Sequence, residues 1–400
     1  MKNILILYDR DLIRPEHFGF RTGHSTQHQV LRLTENITER WNNNEKVGAV
    51  LLDVAKAFDS VWTEGLLLKL IELKISPSLI KIIASYLKNR YFRVAVYDSL
   101  SESHPATAGV PQGSLLGPVL FIIYVNDMPT IRGVKIGIYA DDTVITTNSR
   151  SPMKIVSLLN KALSAIKDWC AKWRIKINPS KSESILFHRK RLNMENITPP
   201  EFDGIPIPWE KHVKYLGVIL DQKLTFTKHT TQARNKAIGA LTTLSPLMSK
   251  QVGIANGLIM YKMIIRPIAM YASTIWGGTF ESNIHKFEII QNKAMRKITN
   301  VPIFTPMDKI REELGLPRVK DWIRETAINF YNSSKASDYQ LIKKLGEYQY
   351  DPINKFRRPK DFLNDGFQGN TNLKYARDEA RQACLATTNT RANTITNPML

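Results

Sequence analysis

The sequence predicts an α+β fold, and three features carry that prediction. Strand-length apolar runs alternate with helical patterns as far as residue 221. Beyond that point the periodicity is helical only. Within the first region, the stretch IGIYADDTVI at residues 136–145 places two carboxylates between two β-forming apolar runs, the pattern of a hairpin.

Taken in order, residues 25–42 have helical periodicity, with Val30, Leu33 and Ile37 on one face. Residues 47–52 are a continuous apolar run of strand length, as expected for a strand buried on both faces. Residues 66–73 and 77–87 read as helices, the second with Ser76 as N-cap and Pro77 in the first position. Residues 91–97 read as a strand. Residues 114–125 are apolar all round and read as a buried helix ending near Asn126-Asp127. The runs 134–139 and 143–147 form the hairpin, joined by the Asp pair. Residues 152–173 form a long amphipathic helix with Ile155, Leu158, Leu159, Ala162, Ile166 and Trp169 inward. Short strands are expected at 183–187, 202–207 and 215–220, with Asp203-Gly204 as a hairpin turn. Helices are then expected at 230–247, 254–271, 282–298 and 319–334, and the chain after about 336 is polar and irregular.

With 400 residues, the length suggests about two or three domains, and 43% apolar residues support real cores. The formal charge of +20 implies a polyanionic partner, of which nucleic acid is the commonest; the alternative is a surface charged for solubility. The excess is concentrated between residues 223 and 300, where 11 Lys/Arg face 2 Asp/Glu. The two cysteines, Cys170 and Cys384, are too few for a disulfide framework or a cysteine-based zinc site, so no disulfide partner is expected. His24 and His28 are four apart, but no third ligand is near them. No signal peptide is seen, and the longest apolar stretch, 115–125, falls well short of the roughly 20 residues needed to span a bilayer. An intracellular protein, nuclear or cytoplasmic, without a membrane partner, is expected.

The stretch GAVLLDVAKAFDSVW at residues 48–62 ends a buried apolar strand on Asp53. Alone, Asp53 reads as a cap for the next turn. With Asp141 and Asp142 it makes three carboxylates at strand ends, a cluster that is unfavourable unless cations neutralise it. Hard oxygen ligands of this kind suit Mg²⁺ held by carboxylates and substrate phosphates. Two such ions can activate an attacking hydroxyl and stabilise a leaving pyrophosphate. In this reading Asp141 faces Asp53 while Asp142 lies at the margin.

Six segments in order resemble the reverse transcriptase of non-LTR (LINE-type) retrotransposons, most closely the jockey-like elements. They are HFGFRTGHSTQHQ (17–29), LLDVAKAFDSVW (51–62), AGVPQGSLLGPVLFIIYVNDMP (108–129), YADD (139–142), WRIKINPSKSESILF (173–187) and VKYLGVILD (213–221). The resemblance implies a right-hand polymerase: partial fingers at 1–46, a palm with an antiparallel sheet at 47–221 (the reverse transcriptase domain as a whole spanning about 1–221), a helical thumb at 222–335 and a polar C-terminal tail at 336–400. It implies RNA-directed DNA synthesis, with an RNA template, a DNA primer or target DNA, dNTPs, and two Mg²⁺ ions, Mn²⁺ being the alternative.

Carried over by position, the resemblance makes Asp53, Asp141 and Asp142 catalytic and metal-binding, with Asp141 the firmer ligand of the pair, and gives the Val54 carbonyl to a metal. Phe58 would crowd the sugar 2′ position and favour dNTP over rNTP; it also reads as ordinary core. Lys56 and the adjacent backbone at Ala57 would lie near the triphosphate. Gln112 and Gly113 would lie near the nascent base pair, unless they are a plain turn. Lys181 would protonate the leaving pyrophosphate, and reads equally as a solvated lysine. Tyr215, Leu216 and Gly217 match the hairpin that would steady the primer end, although the aliphatic run itself reads as core. Arg21 and His24 belong to the fingers. Lys293, Arg296 and Lys297 lie in the basic segment that would grip the duplex backbone.

Elements of this kind usually carry an endonuclease domain and further fingers upstream, so the chain is expected to be truncated at its N-terminus. Three other readings stay open. A viral RNA-dependent RNA polymerase shares the palm, but Phe58 argues against it. A group II intron-type reverse transcriptase or maturase is closer. A transposon-derived nucleic-acid-binding remnant without polymerase activity is the reading outside enzymology.

Overall fold

In the computed structural model, which describes residues 12–190, 192–249, 252–351 and 357–364, the apolar run after residue 46 becomes the centre of a sheet. Strand β1 (Lys46–Leu52) is paired on both sides, so its backbone is satisfied without water and its side chains are free to be apolar on both faces. The sheet has four strands in the order β2-β3-β1-β4, with β2 Val134–Tyr139, β3 Asp142–Ser149 and β4 Glu183–Phe187. All its pairs are antiparallel, in registers that include Leu52↔Thr143, Leu51↔Glu183 and Tyr139↔Asp142.

The alternation along β1 divides the interior. Val47 and Ala49 enter one core and Val50 and Leu52 the other. Helix α1 (Thr26–Asn42), begun by the Ser25 hydroxyl accepting from the His28 N–H, lays Val30, Leu31, Leu33 and Ile37 on the first face. On the second face lie α2 (Thr63–Glu72), α3 (Pro77–Leu87), α4 (Leu116–Val125) and α5 (Pro152–Trp173). Gly48 lets α5 approach the sheet: a methyl there would lie 2.3 Å from Ile155 Cγ2. Helix α4 is apolar all round because it is buried all round, from Val119 to Val125. At its end Asp127 receives the ammonium of buried Lys69 at 2.5 Å and the Trp169 indole N–H at 3.0 Å. Lys69 Nζ also sits 3.8 Å from the Trp173 ring centroid. Burial lowers the Lys69 pKa to about 8, against the pull of Asp127.

After β4 a short hairpin pairs Glu201–Phe202 with Ile205–Pro206 around Asp203-Gly204, and a longer one follows, β5 (His212–Tyr215) and β6 (Val218–Asp221). Helices follow: α6 (Thr227–Leu244), α7 (Ile254–Met260), α8 (Arg266–Met270), α9 (Ser273–Trp276), α10 (Glu281–Thr299), α11 (Met307–Leu314) and α12 (Val319–Lys335). Their apolar faces, with Trp276 and Phe287 at the centre, merge with the first core under α1. No helix among the described residues is long and apolar enough to cross a membrane.

Four local expectations are corrected. Residues 91–97 are not one strand: Tyr91–Phe92 pairs with His104–Pro105 and Ala95–Val96 with Ser99–Leu100. These residues are exposed on both faces, so no core imposes a long register. Residues 215–220 turn back at Leu216-Gly217 to make the β5–β6 hairpin. The helix expected at 254–271 is interrupted by a π-helical turn, Tyr261–Ile265, just before Pro267. Proline has no N–H for the regular ladder, and a wider turn absorbs the loss. The polar segment after 336 begins as structure: α13 (Gln340–Lys343) and a 3₁₀ turn at Pro359–Leu363 bury Ile342, Leu345 and Asp361. Residues 365–400, which include Cys384, lie outside the described residues.

Candidate active site

Strand pairing brings the carboxylates together. Leu51 and Val144 face one another in the first core, so the next pair on that face of the sheet is Asp53 and Asp142. The hairpin turn is Ala140-Asp141, with Ala140 in the left-handed region (φ 57°), and pairing closes at Tyr139–Asp142. The turn is therefore Ala140-Asp141 and not the Asp pair itself, because Asp142 already belongs to β3. Asp142 is the one in register with Asp53, and Asp141 stands at the tip. The charges feel one another. The Asp142 carboxyl is held above the ordinary carboxylate range by desolvation first, then by Asp141 and Asp53; Lys214 of β5 opposes this.

The backbone around Asp53 is fixed by residues 176–182. Its N–H donates to Ser182 Oγ (3.1 Å), and its carbonyl accepts from the Asn178 N–H (2.8 Å). The Ala55 N–H donates to the Lys176 carbonyl (2.8 Å), so Val54–Ile177 is the wide pair of this ladder. The Val54 carbonyl therefore points away from residue 177, toward the side where β3 ends. Lys181 itself is exposed, beside the Ser182 that holds Asp53.

The turn carrying Asp141 rests on Gly19. A methyl at residue 19 would lie 2.4 Å from the Ala140 nitrogen. The Phe18 N–H donates to the Ile138 carbonyl (2.8 Å) and the Ile138 N–H to the Glu16 carbonyl (3.1 Å), so residues 16–18 run along the edge of β2.

Around the carboxylates, Phe58 is half-buried, stacked on Phe121 (centroids 4.6 Å, 25°) and edge-on to Phe20 (6.0 Å, 86°). Ala57 is buried, while Lys56 is exposed in a left-handed conformation (φ 48°). Gln112 Nε2 donates to Asp59 Oδ1 (2.9 Å), tying the loop before α4 to the Asp53 segment. Gly113 (φ 79°) has open space where a side chain would stand; its glycine serves backbone conformation.

The other expected residues are placed as follows. Tyr215 is buried, its hydroxyl accepting from Gln29 Nε2 (3.1 Å), and Leu216-Gly217 form the β5–β6 turn. Arg21 donates to the Arg14 and His17 carbonyls and lies 5.1 Å from the Tyr339 ring centroid. His24 packs edge-on to Phe18 and Tyr339, and burial lowers its pKa to about 4. Lys293 and Lys297 are exposed on α10. Arg296 donates to the Pro302 and Thr305 carbonyls, so it organises the loop after α10.

Sequence reasoning passed over Gly19, Ser182, Lys214 and Tyr271. Each acts through a contact with a distant segment, which no local pattern announces. Among the described residues no group of three or more His, Cys, Asp or Glu is drawn together as a metal-ligand cluster. The donor types, carboxylate oxygens on adjacent strand ends and a carbonyl directed to the same side, are nevertheless those a hard divalent cation takes.

Residues 1–220 match the family model described as reverse transcriptase (RNA-dependent DNA polymerase). The chain belongs to that family, whose members generally use divalent metal ions. It is 33% identical over 370 residues to a probable RNA-directed DNA polymerase from transposon X-element of Drosophila melanogaster, covering 90% of this chain and 40% of that one. It is 32% identical over 339 residues to the RNA-directed DNA polymerase from mobile element jockey of the same organism, covering 82% of this chain and 37% of that one. The chain thus spans about 40% of the length of these curated relatives. Among solved structures, apo telomerase from Candida tropicalis superposes with a TM-score of 0.43 at 11% identity, over 87% of this chain and 59% of that chain.

Proposed function

We propose that the chain is the polymerase part of a non-LTR retrotransposon protein and adds dNTPs to a primer 3′-hydroxyl on an RNA template, inside the cell. Residues 1–46 contribute to the fingers, 47–221 form the palm and 222–335 the thumb. The observation that carries the reading is the register Leu52↔Thr143, which leaves Asp53 and Asp142 as the next residues at neighbouring strand ends, with Asp141 in the adjoining turn.

In this reading Asp53, Asp141, Asp142 and the Val54 carbonyl hold two divalent ions, Mg²⁺ being the best match to all-oxygen ligands. Bound there, such ions supply charge neutralisation for the attacking and leaving oxygens. The chain's own residues do the rest. Phe58, clamped between Phe121 and Phe20, presents a ring edge that leaves no room for a 2′-hydroxyl. Lys56 and the Ala57 backbone border the triphosphate, and Gln112 and Gly113 border the new base pair. Lys181 is exposed and free to deliver a proton to the departing pyrophosphate. The exposed Lys293 and Lys297 meet the duplex backbone.

The test is extension of oligo(dT) on poly(rA) with dTTP and Mg²⁺. The wild-type chain is expected to extend the primer, and Asp53→Asn and Asp141→Asn to abolish extension. Both variants should melt at or above the wild-type temperature without metal, because each removes like-charge repulsion. Near wild-type extension by either variant sinks the metal assignment. Duplex binding without extension by the wild type favours a nucleic-acid-binding remnant.

A further inference from the structure

The β5–β6 hairpin is small, with four residue pairs between His212 and Asp221. Two strands alone are marginal in water. Its turn is also strained at Leu216, a side-chain-bearing residue held left-handed (φ 46°) beside Gly217, which takes φ 84° without cost. Tyr271, 55 residues away at the end of α8, supplies what holds it. Its hydroxyl donates to the Leu216 carbonyl at 2.9 Å. Its ring closes on the turn: a methyl at residue 217 would lie 3.0 Å from Tyr271 Cε1. The Thr26 hydroxyl lies 2.9 Å from the same Tyr271 oxygen and, with that proton already given, donates to it.

Two further links reach the carboxylate hairpin. Gln29, one turn along α1 from Thr26, donates to Tyr215 and lies against Gly137 of β2, where a methyl would be 2.2 Å from Gln29 Nε2. Tyr139, the residue paired with Asp142, packs against the same core as Leu216. The Tyr271 carbonyl accepts the indole N–H of fully buried Trp276 at 2.9 Å, so the helical core fixes where the ring stands. The ring is not core filler, being 38% exposed.

We infer that Tyr271 is a positioning residue for nucleotide addition: it sets the Leu216–Gly217 turn, on which the primer end would rest, against the turn that carries Asp141 and Asp142. The inference rests on the polymerase reading above. It makes Tyr271 the contact through which the duplex-gripping helices register the primer terminus on the catalytic carboxylates. Misplacement of reacting groups by an ångström is enough to lose most of a rate while leaving binding intact.

The test uses Tyr271→Phe, which keeps the ring and removes the hydroxyl. In single-nucleotide addition kcat should fall about tenfold. The KM for dTTP, the duplex Kd and the melting temperature should stay at wild-type values. Amide exchange at residues 212–221 should quicken roughly tenfold with the loss of the anchoring hydrogen bond. Gly217→Ala, which drives a methyl into the Tyr271 ring, should reproduce both effects. Wild-type kcat in Tyr271→Phe, or a fall in kcat accompanied by an equal loss of stability, overturns the inference. Failure of the wild-type chain to extend any primer would sink the polymerase reading instead. Exchange then decides alone whether Tyr271 sets the turn: unchanged protection at 212–221 in Tyr271→Phe overturns it.

Discussion

Gly19 lies against the backbone of Ala140, at the turn that carries Asp141: any Cβ at residue 19 would come within 2.4 Å of the Ala140 nitrogen. A backbone atom cannot swing aside as a side chain can. Gly19→Ala must therefore push either residues 16–18 off the edge of β2 or the turn off its position.

The expected cost of Gly19→Ala is about 1–3 kcal/mol of stability, as for overpacking elsewhere, with a larger loss of primer extension. Gly239, inside α6 with open space around it, is the contrast. Gly239→Ala should stabilise by roughly 0.5–1 kcal/mol, since alanine loses less entropy in a helix. Urea unfolding of the two variants checks both signs. An innocuous Gly19→Ala would mean that the turn is not seated on residue 19.

Phe58 gives a prediction about substrate choice. Its ring is held on one face by Phe121 and at its edge by Phe20, yet it is only half-buried. Phe58→Val should open space beside the sugar and raise ribonucleotide incorporation relative to dNTP. The readout is the dNTP/rNTP ratio of kcat/KM. An unchanged ratio, with lost stability alone, would reduce Phe58 to packing.

The elements legible in the sequence are those whose pattern is local. β1 showed as an unbroken apolar run because it is central and covered on both faces, and α5 as a helical stripe because only one side of it is buried. Asp53 and the Asp141-Asp142 pair stood out because charge at strand ends is costly. What failed to show is set by distant contacts. The strand expected at 215–220 hid the Leu216-Gly217 turn because a single glycine interrupts an otherwise aliphatic run, and the Tyr271 hydroxyl that meets Leu216 comes from a distant segment. Residues 340–363 read as polar because so few of their side chains are buried. Yet the Gly346 N–H reaches Glu35 in the middle of α1 (3.0 Å). Arg296 looked like one more thumb cation until its carbonyl partners were seen.

Stability should depend on pH with a defined sign. His17, His24, His28 and His229 have pKa values lowered by burial to about 3, 4, 4 and 4. Unfolded, each would titrate near 6.5. Between about pH 4 and 6.5 the unfolded chain binds more protons at these sites, so stability rises with pH there and is lost on acidification. Glu35 opposes this. Burial raises its pKa to about 7, so the folded chain holds the extra proton and its contribution falls as pH rises through that range. The Asp142, Glu183 and Asp361 carboxyls, also raised by desolvation, act in the same direction as Glu35. The four histidines carry the larger shifts, and urea midpoints should climb from pH 4.5 to 6.5. Glu35→Gln, a neutral acceptor for the Gly346 N–H, should steepen the climb and stabilise the chain above pH 7. A midpoint that falls across this window contradicts the assignment of neutral buried histidines.

On helix α10 the exposed lysines and the arginine bonded to backbone carbonyls should behave differently. Duplex affinity should fall steeply with salt, each phosphate contact adding roughly 0.9 to the log–log slope. Lys293 and Lys297 are exposed, four residues and so about one turn apart, flanking the buried Ala294 and Met295 that anchor the helix. Replacing both by Ala should flatten the slope by up to about 1.8, without altering sequence preference or melting temperature. Arg296 behaves differently because its guanidinium is already committed to the Pro302 and Thr305 carbonyls. Arg296→Ala leaves those partly exposed carbonyls to water and should lower stability by about 0.5–1.5 kcal/mol, with little change in salt slope. If the lysine pair leaves the slope untouched, the duplex lies on another face. If Arg296→Ala flattens it as much as the lysines do, the loop contact is secondary and the arginine faces the phosphates.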